Sequence, residues 1–205
     1  MNDNILSKLN IDYDYKFIII TSNNKIEKDV FLNFFDGLIN NIKIFEIEKG
    51  YLLIYNSKEK GINFNDYYDS ISFDLGFSFK FFDGFKIRKE NKEYLDCVLK
   101  LYYKYIEKEN DSYYKVKDII LRTTDIDELK SLKEIVLDKY LEDPEFIYLV
   151  RGLFDSDLNV SKAAKMLYMH RNTINNKLDF IANDTTLRLQ KFNDAVCILI
   201  LLENN

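Results

Sequence analysis

The chain has 205 residues, of which 47% are hydrophobic and 15% aromatic, and this is enough apolar material for one domain or two small ones. The composition excludes an intrinsically disordered protein. The net charge of -5 excludes a protein that contacts nucleic acid over its whole surface, because phosphate contacts require Lys and Arg. No run approaches the roughly 18 apolar residues of a membrane span, and the N-terminus lacks a signal-peptide layout. We therefore expect a cytoplasmic protein with no membrane partner.

The first 109 residues alternate between strand and helix patterns. Strand patterns occupy 15–21, 42–47, 51–55 and 75–81, with an edge piece over 83–88, and helical spacing occupies 26–38 and 64–73. The run Tyr15–Thr21 is continuously β-branched and aromatic, which predicts a buried strand. A Gly-containing loop separates the second and third strands and predicts a hairpin. This alternation predicts a small α/β sandwich with helices packed on a sheet.

Beyond residue 91 only helical spacing remains, and no further strand is predicted. Apolar stripes recur over 94–105, 113–120 and 129–140. Asp143 followed by Pro144 predicts an N-cap and first helical residue, for a helix that runs to about Phe154. A polar turn over 155–159 and a final apolar helix over 189–202 follow.

The fold class is therefore predicted to be α+β. It comprises an α/β sensing or dimerisation domain over 1–109, a helical connector over 110–142 and an all-α domain over 143–205.

The segment from Asn159 to Ala182 predicts a helix-turn-helix. Ser161 is the expected N-cap of its first helix, whose lysines face away from the core. A tight connection over 168–170 leads to a second helix with one apolar and one polar face. The expected inward positions are Val160, Ala164 and Leu167 in the first helix and Ile174, Leu178 and Ile181 in the second.

The helix-turn-helix lies in a basic part of an acidic chain. Residues 160–191 hold six Lys and Arg against two Asp and Glu, which gives +4, whereas 1–159 carry -7 and 192–205 carry -2, so the total is -5. A local basic region is expected where one small surface meets phosphate. The alternative is an ordinary fluctuation of charge on solvated faces.

The C-terminal part resembles a known family. The matching positions are Asn159-Val160-Ser161, Ala163-Ala164, Leu167, His170-Arg171-Asn172-Thr173 and Leu178. Through them, Leu149–Leu202 resembles the C-terminal helix-turn-helix of the PucR/CdaR family of bacterial transcription regulators, and a shorter span is similar to the DNA-binding end of the nucleoid protein Fis. Family members usually carry basic or aromatic residues where Asn175 and Asn176 stand, which implies weaker phosphate affinity here. Fis has Gly at the position of Tyr168.

The N-terminal part has a second resemblance. In PucR-type regulators an α/β domain similar to a degenerate GGDEF domain often precedes the helical part, and residues 15–109 resemble it. The GGDEF hairpin would fall at Glu48–Tyr51. This stretch lacks the paired glycines and the acidic residue that a metal-dependent cyclase needs. The resemblance implies a domain without nucleotide-cyclising activity, which senses an effector or pairs the chains.

A helix that enters the major groove presents its N-terminal residues to base edges, while the preceding helix crosses the backbone. Arg pairs with guanine and Asn with adenine, whereas phosphate contacts set the register. The expected base readers are Arg171, Thr173, Asn175 and Asn176, the expected phosphate contacts are Ser161, Lys162, His170 and Lys177, and Asn172 completes the predicted DNA-binding set. For each residue the alternative is simple solvent exposure.

Little in the chain indicates catalysis. Cys97 and Cys197 lie in apolar helical patterns, so buried thiols are expected rather than a disulfide or zinc site. His170 is the only histidine, which makes a cap or phosphate contact more plausible than a metal site. The strand-end acids Asp74, Asp83 and Glu90 form no spaced cluster, and we expect them to be solvated. We therefore expect no cofactor, no metal and no enzymatic activity.

These observations favour a DNA-binding transcription regulator whose partner is double-stranded DNA. One helix-turn-helix supplies few contacts, so a homodimer is expected, formed through Val196–Leu202 or the stripe 94–105. The first domain is expected to sense an unidentified small-molecule effector or to pair the chains. The alternative is a protein-interaction or ligand-binding module that retains the helix-turn-helix scaffold without tight DNA binding. An enzyme is the third hypothesis.

Overall fold

The computed structural model describes residues 10–24, 28–35, 38–59, 64, 68–69, 72–73, 78–109 and 112–204. The chain divides into two compact units, the first ending at Lys115 and the second beginning at Val116. The first unit contains a five-stranded sheet with helices. In the second unit the described residues form helices and no strand. The prediction of a mixed α/β part followed by a helical part is confirmed at this level.

The first unit is built on a mostly antiparallel sheet. Its elements are β1 (Tyr15–Thr21), α1 (Lys28–Phe35), β2 (Lys43–Ile47), β3 (Gly50–Asn56), β4 (Lys80–Asp83), α2 (Tyr94–Tyr105) and β5 (Tyr113–Lys115). The strand order is β2-β3-β1-β4-β5, and only β4 and β5 run parallel. Strand β3 lies between β1 and β2 in the sheet, and both run antiparallel to it. Because α1 joins β1 to β2 in the chain, these elements form a split βαβ unit.

Strand β1 is buried along its whole length because apolar groups cover both faces of the sheet. On one face Ile18 and Ile20 share a core with Phe35 of α1 and with Phe64. On the other face Phe82 of β4 packs against Tyr102 of α2, with ring centroids 5.7 Å apart. The Tyr102 hydroxyl also lies 2.6 Å from Oγ1 of Thr21. The continuous apolar run in the sequence is thus explained by two-sided burial.

Several predicted elements of this unit are confirmed. The strand over 15–21 and the hairpin whose turn holds Glu48 and Lys49 are present. Within the predicted edge piece, Ile87 forms a single bridge to Tyr15. The fourth strand begins at Lys80 rather than at 75, and residues 74–77 lie outside the described residues. Of the helix predicted over 64–73, residues 64, 68–69 and 72–73 are helical, and the others lie outside the described residues.

The prediction of helix at the start of the 113–120 stripe is wrong. Tyr113–Lys115 form β5, which pairs in parallel with β4. The Tyr113 ring stacks on Phe81 at 5.6 Å, and its hydroxyl donates to Oδ2 of Asp83 at 2.8 Å. Pairing with a distant strand therefore overrides the local helical spacing, which resumes only at Val116.

The regular secondary structure of the second unit, in its described residues, is entirely helical. Its elements are α3 (Val116–Ile120), α4 (Ile126–Leu137), α5 (Pro144–Phe154), α6 (Val160–Met166), α7 (Arg171–Thr185) and α8 (Phe192–Glu203). Helix α8 begins three residues later than predicted, because the Asp194 carboxylate accepts the Arg188 backbone N–H at 2.9 Å and holds 188–191 as a turn. Across the described part of the chain, the helices are too short or too polar to cross a membrane.

Candidate nucleic-acid interface

Helix α5 supports the helix-turn-helix and begins where the sequence predicts. The Asp143 side chain accepts the Glu145 backbone N–H at 2.9 Å, and Pro144 is the first helical residue. Near the other end, Gly152 allows a close approach to the end of α6. A Cβ at this position would lie 2.5 Å from Cδ2 of Leu167, and the buried Leu167 has little space to move. Gly152 therefore sets how closely α5 and the first helix of the motif pack.

Asn159 caps helix α6, and the prediction that Ser161 is the cap is wrong. The Asn159 backbone is extended, and its Oδ1 accepts the backbone N–H groups of Ser161 and Lys162 at 3.0 and 3.1 Å. Ser161 lies inside the first turn with an exposed side chain. Both residue types cap helices well, so the backbone geometry, rather than the residue type, decides between them.

Helix α6 buries one narrow face. Ala164 and Leu167 are buried as predicted, Val160 is half-buried, and Ala163 is completely buried. The small alanine side chains let the other helices come close to the α6 backbone. Lys162 and Lys165 are exposed as predicted, so the polar face of α6 carries positive charge.

The connection between the two helices is a Schellman motif, the common hydrogen-bonded end of an α-helix. The Met169 N–H donates to the Ala164 carbonyl at 2.9 Å, and the Tyr168 N–H donates to the Lys165 carbonyl at 3.4 Å. Tyr168 has φ 54°, in the left-handed region that usually holds glycine at this place. Its side chain is 95% exposed.

His170 is the N-cap of α7, the second helix of the motif, which confirms the cap role, one of the two roles expected for it. Its Nδ1 accepts the Asn172 backbone N–H at 3.2 Å. Ile174, Leu178 and Ile181 are buried as predicted. The second helix is thereby anchored by its apolar face, and its polar face points outward.

The predicted DNA-binding residues of α7 are exposed to different degrees. Arg171, Asn172, Thr173 and Asn176 are exposed, whereas Asn175 and Lys177 are half-buried. Asn172 and Asn176 are four residues apart, so they lie on the same outward face. Among the described residues, no ion-pair partner is found for Arg171. The first turn and a half of α7 therefore presents a cation, a hydroxyl and amides to solvent.

Two predicted phosphate contacts are already paired within the chain. The Lys177 ammonium lies 2.9 Å from Oε2 of Glu145 on α5. The Lys162 ammonium lies 3.2 Å from Oδ2 of Asp157, in the turn before α6. Each pair is at least partly exposed, so the ammonium groups are screened by solvent and remain reachable.

Three exposed residues of this region were missed by the sequence reasoning. The sequence places Tyr168 only in the connection between the two helices and gives it no role. Phe180, 70% exposed on α7, resembles a core residue in the sequence. Asp179 is exposed on α7, three residues after Asn176 and therefore on the same side of the helix. The negative charge of Asp179 would repel a phosphate on this side of α7. Helical periodicity alone could have placed Asp179 beside Asn172 and Asn176.

The remaining candidate groups of the sequence are two cysteines and three acids. Cys197 is buried and Cys97 only half-buried, so the prediction of two buried thiols is wrong for Cys97. Burial raises the pKa of the Cys197 thiol to about 12. Asp83, expected to be solvated, is buried against Tyr113 and Lys115. Glu90 is exposed, and Asp74 lies outside the described residues. Where the chain is described, His, Cys, Asp and Glu form no group able to hold a metal ion.

Comparison with known proteins gives one family match. No curated protein matches the chain. The crystal structure of a regulator of polyketide synthase expression from Bifidobacterium adolescentis is similar with a TM-score of 0.39 and 13% sequence identity, over 98% of this chain and 85% of that chain. Residues 148–203, which hold most of α5 and the whole of the motif, match the PucR C-terminal helix-turn-helix domain.

Proposed function

We propose that the protein is a DNA-binding transcription regulator of the PucR/CdaR type. The observation that carries this proposal is the match of residues 148–203 to the PucR C-terminal helix-turn-helix domain. The geometry of α7 supports it, because its apolar face is buried and its N-terminal polar face is exposed. A helix anchored in this way can place its first turns in the major groove.

In this proposal the outward side chains divide into two roles. Arg171, Thr173, Asn175 and Asn176 read base edges, with Arg171 as the main anchor because it carries both charge and a bidentate donor pair. Ser161, Lys162, His170 and Lys177 contact phosphates and set the register, and Asn172 extends the contacts along the same face. Half-burial of Asn175 makes it the weakest of the four readers.

We further propose that the protein binds DNA as a homodimer, since one motif offers few base contacts. The segment 196–202 of α8, which is predicted to form the dimer contact, is only partly exposed. Ile198 and Leu201 are buried in the second unit, whereas Leu199, and Phe192 at the helix start, are exposed. Among the large apolar side chains of α8, Phe192 and Leu199 are the exposed ones that could contact a partner copy.

The first unit is proposed to be a degenerate GGDEF-like domain that senses a small-molecule effector or pairs the chains. Its hairpin turn, Glu48 and Lys49, falls within the stretch 48–51 to which that resemblance assigns the GGDEF hairpin. Both turn residues are engaged within the unit: Lys49 pairs with Glu107 at 2.6 Å, and the Glu48 carbonyl accepts the Tyr103 hydroxyl at 2.7 Å. A turn held in this way favours a structural or sensing role over cyclase chemistry.

Electrophoretic mobility shift over a range of salt tests the DNA-binding proposal. Binding of the full chain to duplex DNA is expected to weaken as salt rises, because bound Lys and Arg release counterions from the phosphates. Arg171→Ala is expected to reduce discrimination between a bound sequence and a shuffled one by about 1–3 kcal/mol.

The matched control is Arg188→Ala, which removes the same charge from an exposed position beyond the far end of α7. It should leave discrimination unchanged. If the folded wild type binds no duplex at low salt, the regulator proposal is lost, and the interaction-module alternative replaces it.

A further inference from the structure

Tyr168 stands at a position where the backbone disfavours it. It is the left-handed residue that follows the end of α6 in the Schellman motif, with φ 54°. Glycine is the usual residue at this position because a Cβ is strained there. The motif's own hydrogen bonds use only backbone groups, so the tyrosine side chain contributes nothing to them.

Burial does not account for Tyr168 either. With 95% of its surface exposed, the ring gains almost no hydrophobic stabilisation from the fold. By contrast, Tyr140, which lies in the same unit, packs on Phe146 with ring centroids 5.0 Å apart and donates to Asp184 at 3.0 Å. The fold therefore bears a strained residue at position 168 without a compensating contact, and such positions are often explained by function.

The surroundings of Tyr168 indicate the chemistry of its partner. The connection lies directly before the recognition helix, two residues from the cap His170 and three from Arg171. Exposed cations flank it at Lys165 and Arg171, and the stretch 165–171 contains no acid. This surface attracts a negatively charged ligand, and a phenolic hydroxyl can donate to phosphate oxygen.

Resting on the proposed DNA-binding function, we propose that Tyr168 is a DNA-backbone contact, whose hydroxyl donates to a phosphate beside the point where α7 enters the major groove. It is a neutral contact that fixes the register of the recognition helix and reads no base. It differs from the lysine contacts in releasing no counterion of its own.

Two variants, Tyr168→Phe and Tyr168→Gly, test this assignment in the whole 205-residue chain. The probes are a duplex recovered from a random pool by binding to the wild type and a shuffled duplex of the same composition. Tyr168→Phe removes only the hydroxyl and should weaken binding to both duplexes by about tenfold, the scale of one hydrogen bond to a charged group. The slope of log affinity against log salt should stay unchanged, whereas Lys177→Gln, which removes a proposed phosphate contact with its charge, should make it shallower.

Tyr168→Gly separates function from stability. It should raise the thermal midpoint of the second unit by relieving the left-handed strain, and yet weaken DNA binding at least as much as Tyr168→Phe. The control is Thr186→Gly, which relieves a similar left-handed residue, φ 62°, at the opposite end of α7. It should leave DNA binding unchanged.

Equal DNA binding by the wild type, Tyr168→Phe and Tyr168→Gly would overturn the assignment while leaving the DNA-binding proposal intact. Weakening on the selected duplex alone would overturn the backbone contact in favour of base reading. Absence of binding by the folded wild type would remove the proposed function and this inference together.

Discussion

At the scale of single residues, a lysine of the motif can bind a phosphate only in competition with the carboxylate that it already contacts. Glu145 stands in the first turn of α5, and its Oε2 lies 2.9 Å from the ammonium of Lys177 on α7. In the proposed DNA complex the same ammonium must face a phosphate, so the carboxylate and the phosphate compete for it. Exposed ion pairs are worth little, about 1 kcal/mol or less, which keeps this competition modest.

Replacement of Glu145 by glutamine is therefore expected to strengthen DNA binding. The gain should be about threefold, because the competing pair is worth less than about 1 kcal/mol. Mobility shift at fixed salt measures it. Glu142→Gln removes the same charge from a neighbouring exposed position and should give a smaller gain. Equal gains from both variants would mean that net charge, rather than release of Lys177, controls affinity.

At the scale of helices, side chains that accept backbone N–H groups fix where each part of the motif begins. Asp143, Asn159 and His170 cap α5, α6 and α7 in succession. Each cap satisfies donors that a helix start leaves without partners. The cap at His170 makes Arg171 the first residue of α7.

A pair of alanine variants tests the cap of α6. Asn159→Ala should lower the free energy of unfolding by about 1 kcal/mol, because two backbone N–H groups lose their acceptor. Ser161→Ala should change it by less than about 0.5 kcal/mol, since that side chain is exposed in the first turn. Chemical denaturation followed by circular dichroism gives both values. A larger loss for Ser161→Ala would contradict the assigned cap.

Features that depend on neighbouring residues could be predicted from the sequence, whereas features that depend on tertiary contacts could not. The start of α5 was predictable because Asp143 and Pro144 act on their own backbone, within a few residues. Strand β5 was not, since it forms by pairing with β4, some 30 residues earlier in the chain. The Lys177–Glu145 pair is likewise a tertiary contact. The left-handed backbone conformation at position 168 could not be predicted from the residue type, because tyrosine disfavours that conformation.

At the scale of the whole molecule, the segment that contains the motif is basic within an acidic chain. Residues 160–191 carry +4 within a total of -5. In the proposed DNA complex, such a distribution would confine phosphate contacts to one small surface, because the acidic remainder of the chain repels DNA. A single motif with amides at its centre is then expected to bind weakly, and two motifs on one duplex raise both affinity and specificity.

Selection of bound duplexes from a random pool by the whole 205-residue chain tests the central claim, sequence-specific DNA binding as a dimer, most directly. The account predicts an enriched inverted repeat with half-sites about 10 bp, roughly 34 Å, apart, as expected of two recognition helices related by a two-fold axis. Enrichment of a single unrepeated half-site would contradict the dimer. Recovery of no preferred sequence by folded protein would contradict sequence-specific DNA binding itself.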